Sequence, residues 1–256
     1  MSQFSGRAAF VTGAASGIGA ACAIALASEG ATVWCTDLDA AGAAETVRHI
    51  VESGGRAQAL ALDVTDEASW DVAIAAAAPI DIVVHAAGIS AASPITEMSF
   101  ADWKRVHAVN LDGSFLAMKY GVRTLRERGG SITAIASASG VRAAPGAAAY
   151  SSSKAAVRML AKVVAKECRA QGWAVRVNTV SPAGVRTPMW SAMPFFQEMV
   201  TRLGSEDAAY KELGSQPGGS RFASPEEIAA AVCYLASDAA AMITGTDLVI
   251  DDGYTI

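Results

Sequence analysis

The chain has 256 residues, 52% of them hydrophobic and 18% charged, and it carries a formal net charge of −5. A chain of this length and apolar content can bury one substantial core, so we expect a single domain over residues 1–256. The small negative charge and the lack of any basic block in the sequence exclude nucleic acid from the expected partners.

Four scattered cysteines, Cys22, Cys35, Cys168 and Cys233, lack the CxxC or Cys/His spacing of a metal site. We therefore expect free thiols in a reducing compartment and no bound metal. The first residues do not have the layout of a secretion signal. Residues 8–28 carry no charge and are long enough to span a bilayer, but their glycines and hydroxyl groups fit a ligand-binding turn better. The sequence predicts a cytoplasmic protein without a membrane partner.

The first predicted elements are a buried strand at residues 8–12, a glycine-rich turn and an alanine-rich helix at residues 20–28. Glycine turns are common, but one that lies between a strand and a helix start is typical of a dinucleotide site. Such glycines let the backbone approach a pyrophosphate, which then binds the free N–H groups of the helix. The predicted cofactor contacts here are Gly13, Ser16, Gly17, Ile18 and Gly19.

The second predicted strand, residues 31–36, ends at Asp37, eighteen residues after Gly19. An acidic residue at about this distance accepts hydrogen bonds from the adenosine ribose of a dinucleotide. Its charge would repel a 2′-phosphate, and residues 36–41 contain no arginine or lysine. The sequence therefore predicts NAD rather than NADP, with a simple strand-end turn residue as the alternative interpretation of Asp37.

Strands and helices alternate through the rest of the chain. The predicted strands are residues 57–62, 80–86, 131–135, 174–180 and 247–250, and the predicted helices are residues 40–53, 66–78, 100–128, 150–171 and one starting at Ser224. Alternation of this kind predicts an α/β fold, a doubly wound parallel sheet with helices on both faces. The carboxyl ends of such strands bind ligands, and the residues at or just past them are Asp37, Asp63, Gly88, Ser137 and Pro182.

Tyr150 and Lys154 are four residues apart, and Ser137 precedes the tyrosine by thirteen. On a helix, the first spacing places the phenol and the ammonium on one face. A nearby ammonium favours the phenolate, so we expect the pKa of Tyr150 to be lowered. The tyrosine then exchanges protons near neutral pH, and the serine hydroxyl can hold a substrate oxygen. The three residues predict hydride chemistry at an alcohol or carbonyl.

These motifs resemble those of the classical short-chain dehydrogenases/reductases, over residues 6–253. The family's TGxxxGIG motif matches residues 12–19, its YxxxK motif matches residues 150–154, and its catalytic serine matches Ser137. The resemblance implies a Rossmann-like single-domain fold and a homotetramer or homodimer. It also implies a role for a helix asparagine and for an adenine-contacting segment, which match Asn110, Asp63 and Val64.

Two motifs depart from the family pattern. Residues 85–88 read His-Ala-Ala-Gly where the family has NNAG, and Ala183 stands where its PG motif has glycine. A purely structural role is the other interpretation of the histidine. The resemblance still implies cofactor contacts at both motifs, namely His85, Ala87, Gly88, Val185 and Thr187.

The resemblance also implies roles for the four catalytic residues. Tyr150, as a phenolate, removes the proton of a secondary alcohol while hydride passes to the nicotinamide, and the reverse reaction reduces a ketone. Lys154 also binds the nicotinamide ribose, and Ser137 orients the substrate oxygen. Asn110 holds a water that links Lys154 to solvent. A turn-cap role for Ser137 and an ordinary helix-interior role for Asn110 are the alternatives.

Residues 186–222, here called the lid segment, match the substrate lid of the family. Its apolar side chains include Met189, Trp190, Met193, Phe195, Phe196, Met199 and Leu203. Such side chains can re-pack around a bulky apolar ligand, and a cover for the pocket or an oligomer contact is the other interpretation. The segment resembles that of bacterial hydroxysteroid and secondary-alcohol dehydrogenases. The first expectation is therefore a hydrophobic cyclic, steroid-like or aryl secondary alcohol or its ketone.

Three other functions stay open. Arg142 or Arg186 near the pocket mouth could bind the carboxylate of a hydroxy acid. A β-hydroxyacyl thioester is a further substrate class, although its reductases usually favour NADP. A catalytically silent nucleotide-binding regulator could use the same fold, and the intact Ser137, Tyr150 and Lys154 argue against it.

Overall fold

The computed structural model describes residues 2–215 and 221–256, which form one seven-stranded parallel sheet with helices on both faces. The strands are β1 (Ala8–Thr12), β2 (Thr32–Asp37), β3 (Arg56–Ala61), β4 (Ile82–His85), β5 (Gly130–Ile135), β6 (Val175–Pro182) and β7 (Asp247–Ile250). They lie in the order β3-β2-β1-β4-β5-β6-β7, with parallel pairing throughout. The predicted α/β fold is confirmed.

The strand order reverses between β1 and β4. The chain builds outward from β1 to β3 and then returns to place β4 on the other side of β1. Such a reversal opens a crevice beyond the carboxyl ends of the strands, because the neighbouring connections leave on opposite faces. Thr12 is paired with His85 at the ends of β1 and β4, so the turn and the loop that follow these two strands leave the sheet side by side.

The described part of the chain contains ten α-helices. They are α1 (Gly17–Ser28), α2 (Ala40–Glu52), α3 (Glu67–Ala77), α4 (Phe100–His107), α5 (Gly113–Leu125), α6 (Ala148–Ala170), α7 (Pro188–Ser191), α8 (Pro194–Leu203), α9 (Glu206–Gly214) and α10 (Pro225–Ala236). None of these helices is long and apolar enough to cross a bilayer.

Each face of the sheet has its own core, because successive residues of a strand point to opposite sides. In β1, Val11 belongs to the cluster that contains Leu26 of α1 and Val232 of α10. Phe10 belongs to the other cluster, with Trp70 of α3. All five side chains are fully buried. A strand that is buried on both faces needs consecutive apolar residues, and the sequence of β1 supplies them.

The helical region predicted over residues 100–128 is divided in the structure. It consists of α4 and α5, joined by a π-helical turn at Ala108–Asp112. Asn110 lies in this turn and is fully buried, and its carbonyl accepts a hydrogen bond from the Ser114 hydroxyl at 2.5 Å. Single π-helical turns of this kind are frequent at functional sites.

The lid segment forms the three short helices α7, α8 and α9, and its residues 216–220 lie outside the described residues. The three helices share a small core with Phe196, Ala209 and Tyr210 buried at its centre. The rings of Phe196 and Tyr210 are 4.7 Å apart between centres. The lid segment is therefore a packing unit of its own beside the sheet.

Candidate active site

A cleft of about 1370 Å³ opens at the carboxyl ends of the strands, beside the reversal between β1 and β4. Two of the predicted site residues, His85 and Asn110, do not line it and are buried. The predicted residues that line it are Gly13, Ser16, Gly17, Ile18, Gly19, Asp37, Asp63, Val64, Ala87, Gly88, Ser137, Tyr150, Lys154, Val185 and Thr187. One cavity thus joins the predicted cofactor and catalytic residues.

The turn after β1 requires glycine at two positions. Gly13 has a φ of +69°, and a Cβ there would lie 2.6 Å from the backbone nitrogen of Ala87. A Cβ on Gly19 would lie 2.0 Å from the carbonyl oxygen of Gly13. These glycines let the turn, the start of α1 and the loop after β4 meet backbone to backbone.

The N-terminus of α1 is not capped by its own side chains. The Ser16 hydroxyl makes no capping hydrogen bond, and the first turn contains no acidic residue. The first N–H groups of a helix have no intrahelical acceptor and carry a partial positive charge. Ser16, Gly17 and Ile18 line the cleft at this point, so this end of the cleft fits the pyrophosphate of a dinucleotide.

Asp37 ends β2 at the cleft. One carboxylate oxygen accepts a hydrogen bond from the Ala15 N–H at 3.0 Å, and the other accepts one from the Asp39 N–H at 3.0 Å. A carboxylate has about four acceptor sites, so Asp37 can support the glycine turn and still accept from a ribose diol. Leu38 and Asp39 line the cleft as well. Residues 37–39 therefore contribute two carboxylates and no cation to the cleft wall.

Asp63 and Val64 follow β3 on the same side of the molecule. One Asp63 oxygen accepts hydrogen bonds from the Thr65 N–H at 2.9 Å and from the Thr65 hydroxyl at 2.7 Å. The Val64 carbonyl accepts a hydrogen bond from the Trp70 indole at 3.1 Å. These bonds hold both residues at the cleft wall, and their contact with the adenine stays a prediction.

His85 has a different position from the other predicted cofactor residues. It is buried, and its Nδ1 lies 2.8 Å from the Thr12 hydroxyl oxygen, which also accepts the Ala87 N–H at 3.3 Å. Burial, together with the positive charge of Lys154, lowers the pKa of His85 to about 3, so the ring is neutral. This geometry supports the structural interpretation of His85, as a link between β1 and the loop after β4.

The structure brings Ser137, Tyr150 and Lys154 together between the end of β5 and the start of α6. Tyr150 and Lys154 lie one helical turn apart on α6, and Lys154 Nζ is 5.8 Å from the centre of the Tyr150 ring. The Ser137 oxygen accepts a hydrogen bond from the Ser139 N–H at 3.1 Å and is hydrogen-bonded with the Tyr150 phenol. Ser137 and Lys154 are buried, and Tyr150 is partly buried.

The pKa of Tyr150 is raised, which differs from the downward shift expected from the sequence. Burial of the phenol raises the pKa, and the hydrogen bond with Ser137 lowers it by less. Lys154 donates to the Ile135 carbonyl at 2.8 Å, and burial lowers the pKa of this ammonium to about 8. Withdrawing a phenolate from water therefore outweighs the stabilisation that the Ser137 hydrogen bond gives it. The neutral phenol is the form that donates a proton to a ketone.

Asn110 uses its amide to join the loop after β4 to α6. Its oxygen accepts the Ile89 N–H at 2.9 Å, and its nitrogen donates to the Ile89 carbonyl at 2.9 Å and to the Ser153 hydroxyl at 3.1 Å. A Cβ on Gly88 would lie 3.2 Å from Lys154 Nζ and 3.3 Å from the Asn110 amide oxygen. Asn110 is thus a neighbour of Lys154, and its water-holding role stays a prediction.

Val185 and Thr187 lie in the loop after β6, next to the glycine turn. Val185 forms an isolated parallel bridge with Ala223, and a Cβ on Gly17 would lie 3.1 Å from the Thr187 methyl group. The Ala183 N–H donates to the Ile250 carbonyl at 3.0 Å. The loop is therefore anchored to β7 although alanine replaces the family's glycine.

Only one of the two arginines predicted near the pocket mouth lines the cleft. Arg142 lines the cleft, and one of its terminal nitrogens donates to the Tyr254 carbonyl at 2.6 Å. Arg186 does not line the cleft, because its side chain pairs with Asp207 at 2.6 Å and lies over the Tyr210 ring. Of these two arginines, Arg142 is the one that is placed to contact a substrate.

The lid segment gives the cleft an apolar wall. Three of the lid-segment residues that were predicted to face the substrate do not line the cleft. They are Phe196, Met199 and Leu203, and they belong to the small core of the lid segment. Phe222 and Tyr254 also line the cleft and were not predicted, because no local motif distinguishes them. The apolar residues of the lid segment at the cleft are Met189, Trp190, Met193, Phe195, Leu213 and Phe222.

Known proteins resemble this chain over nearly its whole length. A family model described as Enoyl-(Acyl carrier protein) reductase matches residues 13–255. The D-threitol dehydrogenase of Mycolicibacterium smegmatis is 43% identical, over 99% of this chain and 95% of that protein. The cyclopentanol dehydrogenase of Comamonas sp. is 35% identical, over 100% of this chain and 99% of that protein.

A solved structure shows the same arrangement of strands and helices. The crystal structure of a short-chain type dehydrogenase/reductase from Mycobacterium marinum matches with a TM-score of 0.85 and 31% identity, over 99% of this chain and 97% of that one. Matches of this extent cover both the glycine turn and α6, the helix that carries Tyr150 and Lys154. The chain belongs to the classical short-chain dehydrogenases/reductases, oxidoreductases that act on CH–OH groups with a nicotinamide cofactor.

Proposed function

We propose that the protein is an NAD-dependent dehydrogenase that interconverts a hydrophobic cyclic, steroid-like or aryl secondary alcohol and its ketone. The observation that carries this proposal is the apolar wall of the lid segment in the same cleft as Ser137 and Tyr150. A ring can pack against Trp190 and Phe195 while its carbinol oxygen reaches the two hydroxyl groups. The likeness to a cyclopentanol dehydrogenase supports a ring substrate.

Three side chains carry the proton chemistry of the proposed reaction. The Ser137 hydroxyl donates a hydrogen bond to the substrate oxygen and holds it beside the Tyr150 phenol. In oxidation the Tyr150 oxygen takes the proton of the alcohol, and in reduction it returns that proton to the ketone oxygen. The Lys154 ammonium stabilises the Tyr150 phenolate, which takes up the proton in oxidation and is left behind after reduction. The nicotinamide, when bound, accepts or supplies the hydride.

The preference for NAD rests on the charge at the adenosine end of the cleft. The carboxylates of Asp37 and Asp39 lie in that part of the wall, and residues 37–39 bring no cation. Like charges repel at short range, so this end of the cleft disfavours the 2′-phosphate of NADP. A ribose diol instead supplies two donors for the Asp37 carboxylate.

Removal of the Asp37 charge tests the cofactor preference. We expect Asp37→Ala to lower the ratio of kcat/KM with NAD to kcat/KM with NADP by about tenfold or more, because about 1.4 kcal/mol of lost discrimination is tenfold. Asp37→Asn keeps an acceptor for Ala15 and should lower the ratio as well. Steady-state rates with both cofactors measure it.

Asp66→Ala is the matched control for the Asp37 variants. Asp66 also accepts two backbone hydrogen bonds, as the N-cap of α3, but it does not line the cleft. The control should leave the cofactor ratio unchanged. An unchanged ratio in both Asp37 variants would show that Asp37 is not the ribose contact.

Two other substrate classes are candidates, each on one observation. The likeness to a D-threitol dehydrogenase favours an open-chain polyol. The cation of Arg142 on the cleft wall is the observation behind a hydroxy acid or another carboxylate-bearing substrate. NADH formation by the purified protein separates the classes when ring alcohols, D-threitol, hydroxy acids and β-hydroxyacyl thioesters are compared by kcat/KM. The highest value for a ring alcohol supports the proposal, and the highest value for an acid contradicts it.

Tyr150→Phe separates an enzyme from a silent nucleotide-binding regulator. The variant lacks the oxygen that moves the proton, so we expect kcat to fall by about a hundredfold or more while NADH binding, followed by its fluorescence, is unchanged. Tyr210→Phe is the matched control, because Tyr210 is a buried tyrosine in the core of the lid segment. Wild-type turnover by Tyr150→Phe would contradict the catalytic role. A wild-type protein that binds NADH but oxidises no alcohol would favour the regulator.

We also propose a homotetramer or homodimer and a cytoplasmic location. Phe115 on α5 and the pair Met159 and Val163 on α6 are exposed apolar side chains, and such surfaces on long helices suit a contact between subunits. All four cysteines are buried and free, which fits a reducing compartment.

A further inference from the structure

We propose that Arg142, held in place by Tyr254, binds a second oxygen of the substrate. The preferred ring substrate then carries two oxygen functions, as a diol or a hydroxyketone does. This inference rests on the proposed function, because it assigns a specificity residue to the same cleft.

The backbone ties Arg142 closely to the catalytic serine. Ser137 precedes the short 3₁₀ turn Ala138–Gly140, and the Arg142 N–H donates to the Ala138 carbonyl at 2.9 Å. Arg142 therefore lies on the loop that carries the serine, about one helical turn further on, and its side chain lines the cleft. This side chain is long enough to reach a distant group of a substrate whose reacting oxygen is at Ser137.

Tyr254 fixes the direction of the Arg142 side chain. The arginine donates to the Tyr254 carbonyl at 2.6 Å, and its guanidinium carbon lies 4.5 Å from the centre of the Tyr254 ring. Both residues line the cleft. A guanidinium has five N–H donors in a rigid plane, so it can keep this contact while it donates to a ligand oxygen.

The turn that carries Tyr254 is held firmly. The Asp251 carboxylate accepts hydrogen bonds from the Gly253 N–H, the Thr255 N–H and the Thr255 hydroxyl at 3.1, 2.8 and 2.6 Å. Asp252 has a φ of +50°, and no other non-glycine residue in the described part of the chain has a positive φ. Such strain persists where the surroundings enforce it, and it is concentrated at ligand sites.

The charges beside Tyr254 favour a neutral oxygen over a carboxylate at Arg142. Asp251 and Asp252 lie three and two residues before Tyr254, on the same turn. The hydrogen bond from the Thr255 hydroxyl lowers the pKa of Asp251, so this group is ionised at neutral pH. These carboxylates offset the attraction of the arginine for an anion. A hydroxyl or keto oxygen accepts the same N–H donors without that repulsion.

The test compares two substrates that differ by one oxygen, cyclohexanol and cyclohexane-1,4-diol. The wild-type protein is expected to have the higher kcat/KM for the diol. Arg142→Met keeps an extended side chain without donors, and it should lower the diol-to-cyclohexanol ratio of kcat/KM by about tenfold, the effect of a hydrogen bond to a charged group. Arg142→Lys keeps the charge but not the planar donor set, so its ratio should be intermediate.

Arg186→Met is the matched control, because Arg186 also lies over a tyrosine ring, at 5.3 Å, and does not line the cleft. It should leave the ratio unchanged, and thermal melting shows that each variant is folded.

If Arg142→Met fails to fold, Arg142→Lys carries the test alone. An unchanged ratio in the folded Arg142 variants overturns the inference and leaves the proposed function standing. A loss confined to hydroxy acids assigns Arg142 to a carboxylate and overturns it too. If the wild-type protein oxidises no ring alcohol, both the inference about Arg142 and the proposed function are wrong.

Discussion

His85 departs from the family motif and still links the two segments that flank the cleft. Its ring meets the Thr12 hydroxyl, which in turn accepts the Ala87 N–H, so the turn after β1 and the loop after β4 stay joined. The Nε2 atom is buried and has no hydrogen-bond partner among the described residues. Such an unpaired group costs about 1–3 kcal/mol of stability. The histidine therefore keeps the link at the expense of one unsatisfied polar atom.

His85→Asn is expected to reduce the loss of stability in acid. Burial lowers the pKa of His85 to about 3, so the unfolded chain binds a proton below about pH 6.5 that the folded protein does not bind. By linkage, the free energy of unfolding then falls as the pH decreases from about 6.5 towards 3, by up to about 1.4 kcal/mol per pH unit. Asparagine does not titrate, so the variant lacks this contribution. Urea unfolding at several pH values between about 7 and 5 measures the difference.

His49→Asn is the matched control for this pH dependence. The His49 side chain is 56% exposed on α2 and lies 3.3 Å from Glu45. Its replacement removes an exposed histidine instead of a buried one, so it shows how much of the change in acid slope comes from burial. Parallel slopes for His85→Asn and the wild-type protein would contradict a buried neutral ring at position 85.

Elements with strong local signals were predictable from the sequence. The helix expected from Ser224 begins at Pro225, and its capping box is present, with the Ser224 oxygen accepting the Glu227 N–H at 3.4 Å and a Glu227 oxygen accepting the Ser224 N–H at 2.8 Å. Tyr150 and Lys154 share one face of α6, as the helical period requires. Both features depend only on residues within one helical turn of each other, so the local sequence is enough to predict them.

Elements shaped by distant contacts were not predictable. The π-helical turn of Asn110 depends on hydrogen bonds to Ile89 and Ser153, which are 21 and 43 residues away in sequence. In the lid segment, Trp190 lines the cleft and Phe196 is buried in the small core, although both are aromatic residues of one segment. The raised pKa of Tyr150 was not predictable either, because burial of the phenol depends on the folded structure and not on the helical spacing to Lys154.

At the scale of the whole molecule, Arg158 connects the last strand to the active site. It lies on α6 eight residues after Tyr150, and it donates to Asp247 at 2.6 Å and to the Gly140 carbonyl at 2.8 Å. Asp247 begins β7, is 5% exposed, and also accepts hydrogen bonds from the Thr179 and Ser181 hydroxyls at 2.7 and 2.6 Å. One partly buried ion pair thus joins α6, β6, β7 and the loop after β5.

The Gly140 carbonyl belongs to the turn that follows Ser137. A Cβ on Gly140 would lie 2.9 Å from the carbonyl carbon of Lys154, so the turn packs directly on the backbone of α6. Arg158 of the same helix donates to the Gly140 carbonyl and so ties this turn to α6. We therefore predict that Arg158 is a positioning residue, which holds the serine hydroxyl at its distance from the Tyr150 phenol.

Arg158→Met is expected to lower kcat for a ring alcohol by about tenfold or more, because small displacements of positioned groups are costly in rate. The dissociation constant of NADH should stay within about twofold of the wild-type value, since the glycine turn is not touched. Stability should fall as well, because Asp247 stays buried without its cation. Arg158→Lys keeps a charge near Asp247 and should recover part of kcat.

Arg176→Met distinguishes positioning from a general loss of stability. Arg176 is also partly buried, and it donates to the backbone carbonyls of Leu235, Ala236 and Ser237 at the end of α10, at 2.5, 3.3 and 3.1 Å. Its loss should lower Tm without lowering kcat at temperatures well below the transition, because these carbonyls do not contact the serine turn. If the two methionine variants lose Tm and kcat to the same extent, Arg158 acts only through stability. A kcat loss confined to Arg158→Met, partly recovered by Arg158→Lys, shows instead that the ion pair at β7 sets the geometry of Ser137 and Tyr150.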